Sequence, residues 1–111
     1  MILGFIGIGK ISSSVIQGIS NSKVQYRKII LSPRNKKISR YLKNKFKKVE
    51  IAKSNQEVID KSDWIFLAVT PLVGNEIIQE LKFKSKQTVI SFISTITLSQ
   101  LKKYIKVKTK I

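Results

Sequence analysis

Residues 2–20 read Ile-Leu-Gly-Phe-Ile-Gly-Ile-Gly-Lys-Ile-Ser-Ser-Ser-Val-Ile-Gln-Gly-Ile-Ser, and the period of the apolar residues changes half-way along. Ile2 to Ile8 form a nearly all-apolar run closed by Gly9, the pattern of a strand buried on both faces. Beyond it Ile11, Val15 and Ile19 fall four apart with Ile16 alongside, which draws one stripe along a helix from about Ser12 to Ser20. Strand, glycine turn and helix make the first unit of an α/β fold.

The alternation then repeats. Lys28 to Ser32 predict a strand, Pro33-Arg34-Asn35 a turn, and Ile38, Tyr41, Leu42 and Phe46 the buried face of a basic helix. Val49 to Ala52 predict a third strand, followed by a short helix ending near Lys61. Ser54-Asn55-Gln56-Glu57 opens that helix as a capping box, Ser hydroxyl and Glu carboxylate each taking a free N–H. Trp64 to Val69 is the clearest central strand and Thr70-Pro71 ends it. Val73, Ile77, Ile78 and Leu81 then mark a fourth helix. After the linker Lys82 to Gln87, Thr88 to Ile93 predict a fifth strand, Thr97 and Gln100 cap a helix, and Ile105 to Ile111 form an edge strand or a frayed end. Strands alternating with helices pair in parallel through right-handed crossovers. The expected fold is therefore α/β, a Rossmann-type doubly wound, mainly parallel sheet with helices on both faces, and residues 1–111 form one domain.

Composition removes several chemistries. With no Cys and no His there is no thiol nucleophile, no disulfide, no usual zinc site and no Ser-His-Asp relay, so neither a metal site nor a catalytic residue is assigned. No stretch approaches the roughly 18 apolar residues of a membrane span, and no export signal opens the chain, so a cytoplasmic protein is expected. The 22 Lys and Arg against 6 Asp and Glu give a formal charge of +16, better suited to holding an anion than to acid-base work.

The chemistry lies at the turns that follow the strands. Gly7-Ile8-Gly9-Lys10-Ile11-Ser12 closes a strand and opens a helix, where a dinucleotide fingerprint has a mechanism. The first Gly permits a tight turn, the second lets backbone approach a pyrophosphate, and the third position, here Ser12, needs a small residue. The helix N-terminus and Lys10 add positive potential for the phosphates. At the end of the second strand, Ser32, Arg34 and Asn35 offer donors to a ribose 2′-phosphate, and no acid stands there to hold a 2′-hydroxyl, so NADP(H) is preferred over NAD(H). Ala68-Val69-Thr70-Pro71 should face the glycine turn across the sheet edge as a rigid wall beside the nicotinamide half.

The segments GFIGIGKISSSVIQG, LSPRN, SNQEVIDKSDWIFLAVTP and QTVISFISTITLSQL, in this order, resemble the N-terminal cofactor-binding domain of pyrroline-5-carboxylate reductase. The wider group, including deazaflavin-dependent NADP oxidoreductases, is similar at the glycine turn. The resemblance implies hydride transfer from NADPH to the C=N bond of 1-pyrroline-5-carboxylate, giving proline. It places Gly7, Gly9, Lys10, Ile11 and Ser12 along the pyrophosphate and Ser32, Arg34 and Asn35 at the 2′-phosphate. Asn55 would lie at the adenosine half, and Ala68, Val69, Thr70 and Pro71 at the ribose and nicotinamide. The family usually has Asn-Met-Ala where this chain has Lys10-Ile11-Ser12, and Ala-Gly near Ser94-Thr95. It also continues into a helical substrate-binding and dimerisation domain, so this chain, ending at Ile111, is expected to bind NADPH but to need that domain, separately encoded or missing, for turnover.

Two other readings compete. A nucleic-acid-binding protein would explain the pI near 10.3, but it should cluster its cations on one face with exposed aromatics, and the Lys residues are spread over many elements. Lysine as the default surface residue of an AT-rich genome accounts for most of the excess, so no specific nucleic-acid partner is expected. A stand-alone NADP-binding or scaffold module would use the same nucleotide site.

Overall fold

The five apolar runs become five strands, with the helices between them. The computed structural model describes residues 1–7, 9–33, 35–69, 78–84 and 87–92, apart from the side chain of Lys10. They form β1 (Ile2–Ile6), α1 (Lys10–Ser20), β2 (Lys28–Leu31), α2 (Lys36–Lys45), β3 (Val49–Ile51), α3 (Asn55–Lys61), β4 (Trp64–Leu67) and β5 (Thr88–Ser91). Residues 78–80 are helical, within the expected fourth helix. The rest of that helix, the helix expected after Thr97 and the tail from Ile105 lie outside the described residues.

The strands pair in the order β3-β2-β1-β4-β5, all parallel. This is the doubly wound order expected from the sequence. Side chains alternate across the sheet and sort the core into two clusters. Leu3, Phe5, Ile29, Leu31, Val49 and Phe66 pack with Ile16 of α1 and Leu42 of α2. On the other face Ile6, Ile30, Ile65, Leu67 and Val89 pack with Val58 and Ile59 of α3 and with Ile78. A strand with apolar residues on both faces reads as a continuous run, which is why β1 and β4 were legible. Phe5 and Phe66 are register partners and stack, with centroids 4.5 Å apart at 6°.

Glycine is needed within β1 because a helix end sits on it. A Cβ on Gly4 would lie 2.2 Å from Ser62 Oγ and 2.7 Å from Val58 Cγ1, so no larger residue lets α3 approach. The Ser half of the predicted capping box forms: Ser54 Oγ accepts from Glu57 N–H at 3.1 Å. The Glu57 carboxylate takes Lys61 Nζ at 3.4 Å, the next turn of the same face, rather than the Ser54 backbone.

The amino ends of the strands are fastened by side chains. Asp63 Oδ2 accepts from Ile2 N–H and Asp63 N–H donates to Ile2 O, both at 2.8 Å. The buried Gln87 amide donates to Ile59 O at 2.7 Å and Ser62 O at 2.9 Å, and accepts from Lys84 N–H at 2.8 Å. Gln87 thereby gives Ser62 O, at the end of α3, a partner and adds a second, shorter bond to Ile59 O, which also accepts from Ser62 N–H at 3.3 Å. Among the described residues no helix is long and apolar enough to cross a membrane.

Candidate functional site

The carboxyl ends of β1, β2 and β4 meet at the glycine turn. Gly7 takes φ +89°, in the left-handed region, and a Cβ there would fall 2.6 Å from Val69 Cγ1 and 2.7 Å from Ala68 O. The two requirements are independent, and each alone selects glycine. Ala68 N–H still donates to Ile6 O at 2.9 Å, so the chain leaves β4 alongside the glycine turn, as the strand order required. Ala68 and Val69 are thus brought against Gly7. Thr70 and Pro71, expected to continue this wall, lie outside the described residues.

Gly9 is the N-cap of α1, in extended backbone at φ −139°, with no side-chain cap hydrogen bond. The helix therefore starts at Lys10, two residues before the expected start near Ser12. Among the described residues a Cβ on Gly9 would meet nothing within 4 Å, so none of them crowds the main chain there. The N–H groups of a first helical turn have no intrahelical partner, and Gly9, at the capping position, has no side chain to bond them. Ile11, in that turn, is 57% exposed. Ser12 is buried, and its Oγ donates to Gly7 O at 2.7 Å.

Ser32 follows β2 and is also fully buried. Its backbone N–H donates to Phe5 O at 3.0 Å, and its Oγ accepts from Gly7 N–H at 3.0 Å. The hydroxyl expected at a 2′-phosphate therefore faces the glycine turn. Asn35 takes φ 52° and caps α2, its Oδ1 accepting from Ile38 N–H at 3.5 Å. Only the Nδ2 end of that amide carries hydrogens for a phosphate. Arg34, between the two, lies outside the described residues, as does the side chain of Lys10. Asn55 stands at the first position of α3, at the same carboxyl edge, and its Oδ1 is buried without a hydrogen-bond partner.

Sequence reasoning passed over a cavity of about 200 Å³ that adjoins the 33–35 turn, lined by Pro33, Lys36, Ser39, Arg40 and Ile51. Lys36 and Arg40 sit one helical turn apart, which was a readable spacing, but the cavity depends on how α2 lies on β3. The charge is also partitioned. Residues 1–49 hold twelve of the Lys and Arg and no Asp or Glu, so no carboxylate opposes an anion from β1 or β2, α1 or α2. The first acid, Glu50, is bonded to Lys28 Nζ at 2.7 Å, and that hydrogen bond holds its carboxyl below the usual range.

A glycine turn feeding an uncapped helix, in a 3-2-1-4-5 parallel sheet, can be set against known proteins. Residues 2–95 match the family described as NADP oxidoreductase, coenzyme F420-dependent. The chain belongs to that family. Pyrroline-5-carboxylate reductase 3 of Danio rerio is 32% identical over 113 residues, covering 98% of this chain and 38% of the relative. The 1-pyrroline-5-carboxylate reductase of Streptococcus pyogenes superposes with a TM-score of 0.77 at 29% identity, over 95% of this chain and 38% of that one. The pyrroline carboxylate reductase of Plasmodium falciparum, solved with NADP bound, superposes at 0.78 with 22% identity and the same coverage, a likeness of fold. This member of the NADP oxidoreductase family thus spans about two-fifths of the relatives it matches, and corresponds to the NADP-binding domain of pyrroline-5-carboxylate reductase-like proteins.

Proposed function

We propose that the chain binds NADPH across the carboxyl edge of its sheet, as the cofactor-binding domain of a pyrroline-5-carboxylate reductase-like enzyme of proline biosynthesis in the cytoplasm. The observation that carries this is the Gly7 to Gly9 turn. It has a left-handed glycine packed on Ala68 and Val69, then a bare glycine at an uncapped helix. Two features fit a dinucleotide there: the open space over Gly9, which lets main chain approach a pyrophosphate, and the unpartnered Asn55 Oδ1, which can accept from an adenosine ribose hydroxyl.

Gly7, Gly9, Lys10, Ile11 and Ser12 would line the pyrophosphate, Ser32, Arg34 and Asn35 the 2′-phosphate side, Asn55 the adenosine ribose, and Ala68, Val69, Thr70 and Pro71 the nicotinamide side. When bound, NADPH supplies the hydride for a C=N bond. The protein's own contribution is to hold and orient: backbone N–H groups and the α1 terminus carry the phosphates, and the 68–71 wall limits where the nicotinamide lies. No acid-base side chain is needed for that. The imine would be oriented by groups outside the nucleotide-binding domain, in the helical domain that the resemblance implies, because orientation supplies much of the barrier reduction.

Titration with NADPH and NADH tests the reading. The wild-type chain should prefer NADPH, and Arg34→Ala should weaken NADPH about 10- to 100-fold, the weight of a charge-assisted hydrogen bond, with NADH unchanged. Equal losses for the two cofactors would remove the 2′-phosphate assignment. Binding of neither by the wild type would remove the cofactor.

A further inference from the structure

Both buried serines at the site turn their hydroxyls toward the protein, and toward the same residue. Ser32 Oγ accepts from Gly7 N–H at 3.0 Å, and Ser12 Oγ donates to Gly7 O at 2.7 Å. Each serine has no exposed surface. A hydroxyl that gives a hydrogen bond to an incoming phosphate has to be reachable from solvent, and these two are not.

They instead occupy the two polar groups of a residue that most needs fixing. Gly7 at φ +89° belongs to neither strand nor helix, so no ladder takes its N–H and no helical bond takes its C=O. Glycine left to itself samples many conformations. The direction in which Gly9 and the first turn of α1 face is set by the peptides on either side of Gly7, and those are held by one serine from α1 and one from the end of β2.

We propose, on the footing of the NADPH reading, that Ser12 and Ser32 are positioning residues for the pyrophosphate turn and give no hydrogen bond to the cofactor themselves. Ser32 has a second consequence. It is tied to β1 through its backbone bond to Phe5 O, to the glycine turn through Oγ, and by covalent chain to Pro33, Arg34 and Asn35. The turn that reads the 2′-phosphate and the turn that carries the pyrophosphate therefore share one mechanical joint, and the two phosphate sites are not independent.

The test compares Ser32→Ala and Ser12→Ala in the whole chain, titrated with NADPH, NADH and adenosine 2′-monophosphate, at temperatures well below unfolding. With the joint lost, Ser32→Ala should weaken NADPH and NADH by the same factor, roughly tenfold for one hydrogen bond to a buried peptide, and should weaken the monophosphate as well. Ser12→Ala should weaken both dinucleotides equally and leave the monophosphate, which has no 5′-phosphate to reach the glycine turn, unchanged. A loss confined to NADPH in Ser32→Ala would make the hydroxyl a direct 2′-phosphate ligand and overturn the inference while the cofactor reading stands. A lower melting temperature with all three affinities unchanged would also overturn it, leaving the serines structural only. If Ser32→Ala does not fold, Ser12→Ala alone decides, since its 2′-monophosphate arm separates positioning from general weakening. A wild-type chain that binds neither dinucleotide would overturn the NADPH reading and this inference with it.

Discussion

At the amino edge of the sheet, Gln87 spans Ile59 O, Ser62 O and Lys84 N–H, and Asp63 exchanges two hydrogen bonds with Ile2. At the carboxyl edge, Gly9 caps α1 without help from any side chain and Asn55 Oδ1 is buried with no partner. Ser62 Oγ is also unpartnered at the amino side, but it sits over Gly4, where a methyl group would have to go. The same five strands thus end in side-chain fastenings on one side and, among the described residues, in a glycine turn, a helix start and one buried acceptor without a partner on the other. One buried polar atom without a partner lies near each edge, so what marks the carboxyl edge is the company Asn55 keeps: a left-handed glycine and a helix start whose cap has no side chain, a sharper pointer than charge in a chain this basic.

The comparison can be broken from either edge. The largest effect is expected at the carboxyl edge: Gly7→Ala combines left-handed strain with a Cβ pressed on Val69 and Ala68, and should cost about 2 to 4 kcal/mol and abolish dinucleotide binding. Urea unfolding and NADPH titration measure both, and an unchanged midpoint would show that the turn yields easily. At the amino edge, Gln87→Leu strands Ser62 O and Lys84 N–H and leaves Ile59 O with only the 3.3 Å bond from Ser62 N–H. It should cost about 2 to 3 kcal/mol in the same urea experiment, yet leave NADPH affinity unchanged when measured well below unfolding. A matching fall in affinity would mean the two edges are coupled.

The smallest effect concerns Lys28 and Glu50, whose side chains are 44% and 47% exposed. The Lys28 hydrogen bond lowers the Glu50 pKa in the folded chain. Its contribution is therefore present above the unfolded value of about 4.3 and is lost as pH falls through the lower folded value. Solvent screening keeps it below about 1 kcal/mol. Urea midpoints of wild type and Glu50→Gln should differ slightly at pH 6 and converge by pH 3, and a gap that persists in acid would rule out the ion pair as its source.

Much of this architecture was legible because it rests on short-range pattern. Continuous runs gave β1 and β4, the Ser54 cap gave the start of α3, and strand-helix alternation gave the parallel order. The glycine turn and the 68–69 wall followed from that order. The inward turn of Ser12 and Ser32 was not legible, because a hydroxyl in a loop can face ligand or protein, and the partner of Ser32 lies 25 residues away. Gln87 was hidden for the same reason, bonded across 25 and 28 residues with no local sign in a stretch that reads as linker. Boundaries slipped where tertiary contact overrides pattern: β4 ends at Leu67, before its apolar run does, as the chain swings against Gly7.

The central place of β1 also bears on how the molecule assembles. Its neighbours are Lys28 to Leu31 on one side and Trp64 to Leu67 on the other, so β1 gains one partner soon after it is made and the other only after three further helices and two further strands. The parallel β1–α1–β2 unit can form early, while the pairing of Leu3 with Trp64 closes a loop of about sixty residues. Until β4 emerges, one side of β1 is an open hydrogen-bonding edge flanked by Leu3, Phe5 and Ile6. A chaperone acting before that point would meet an unpaired, apolar strand edge.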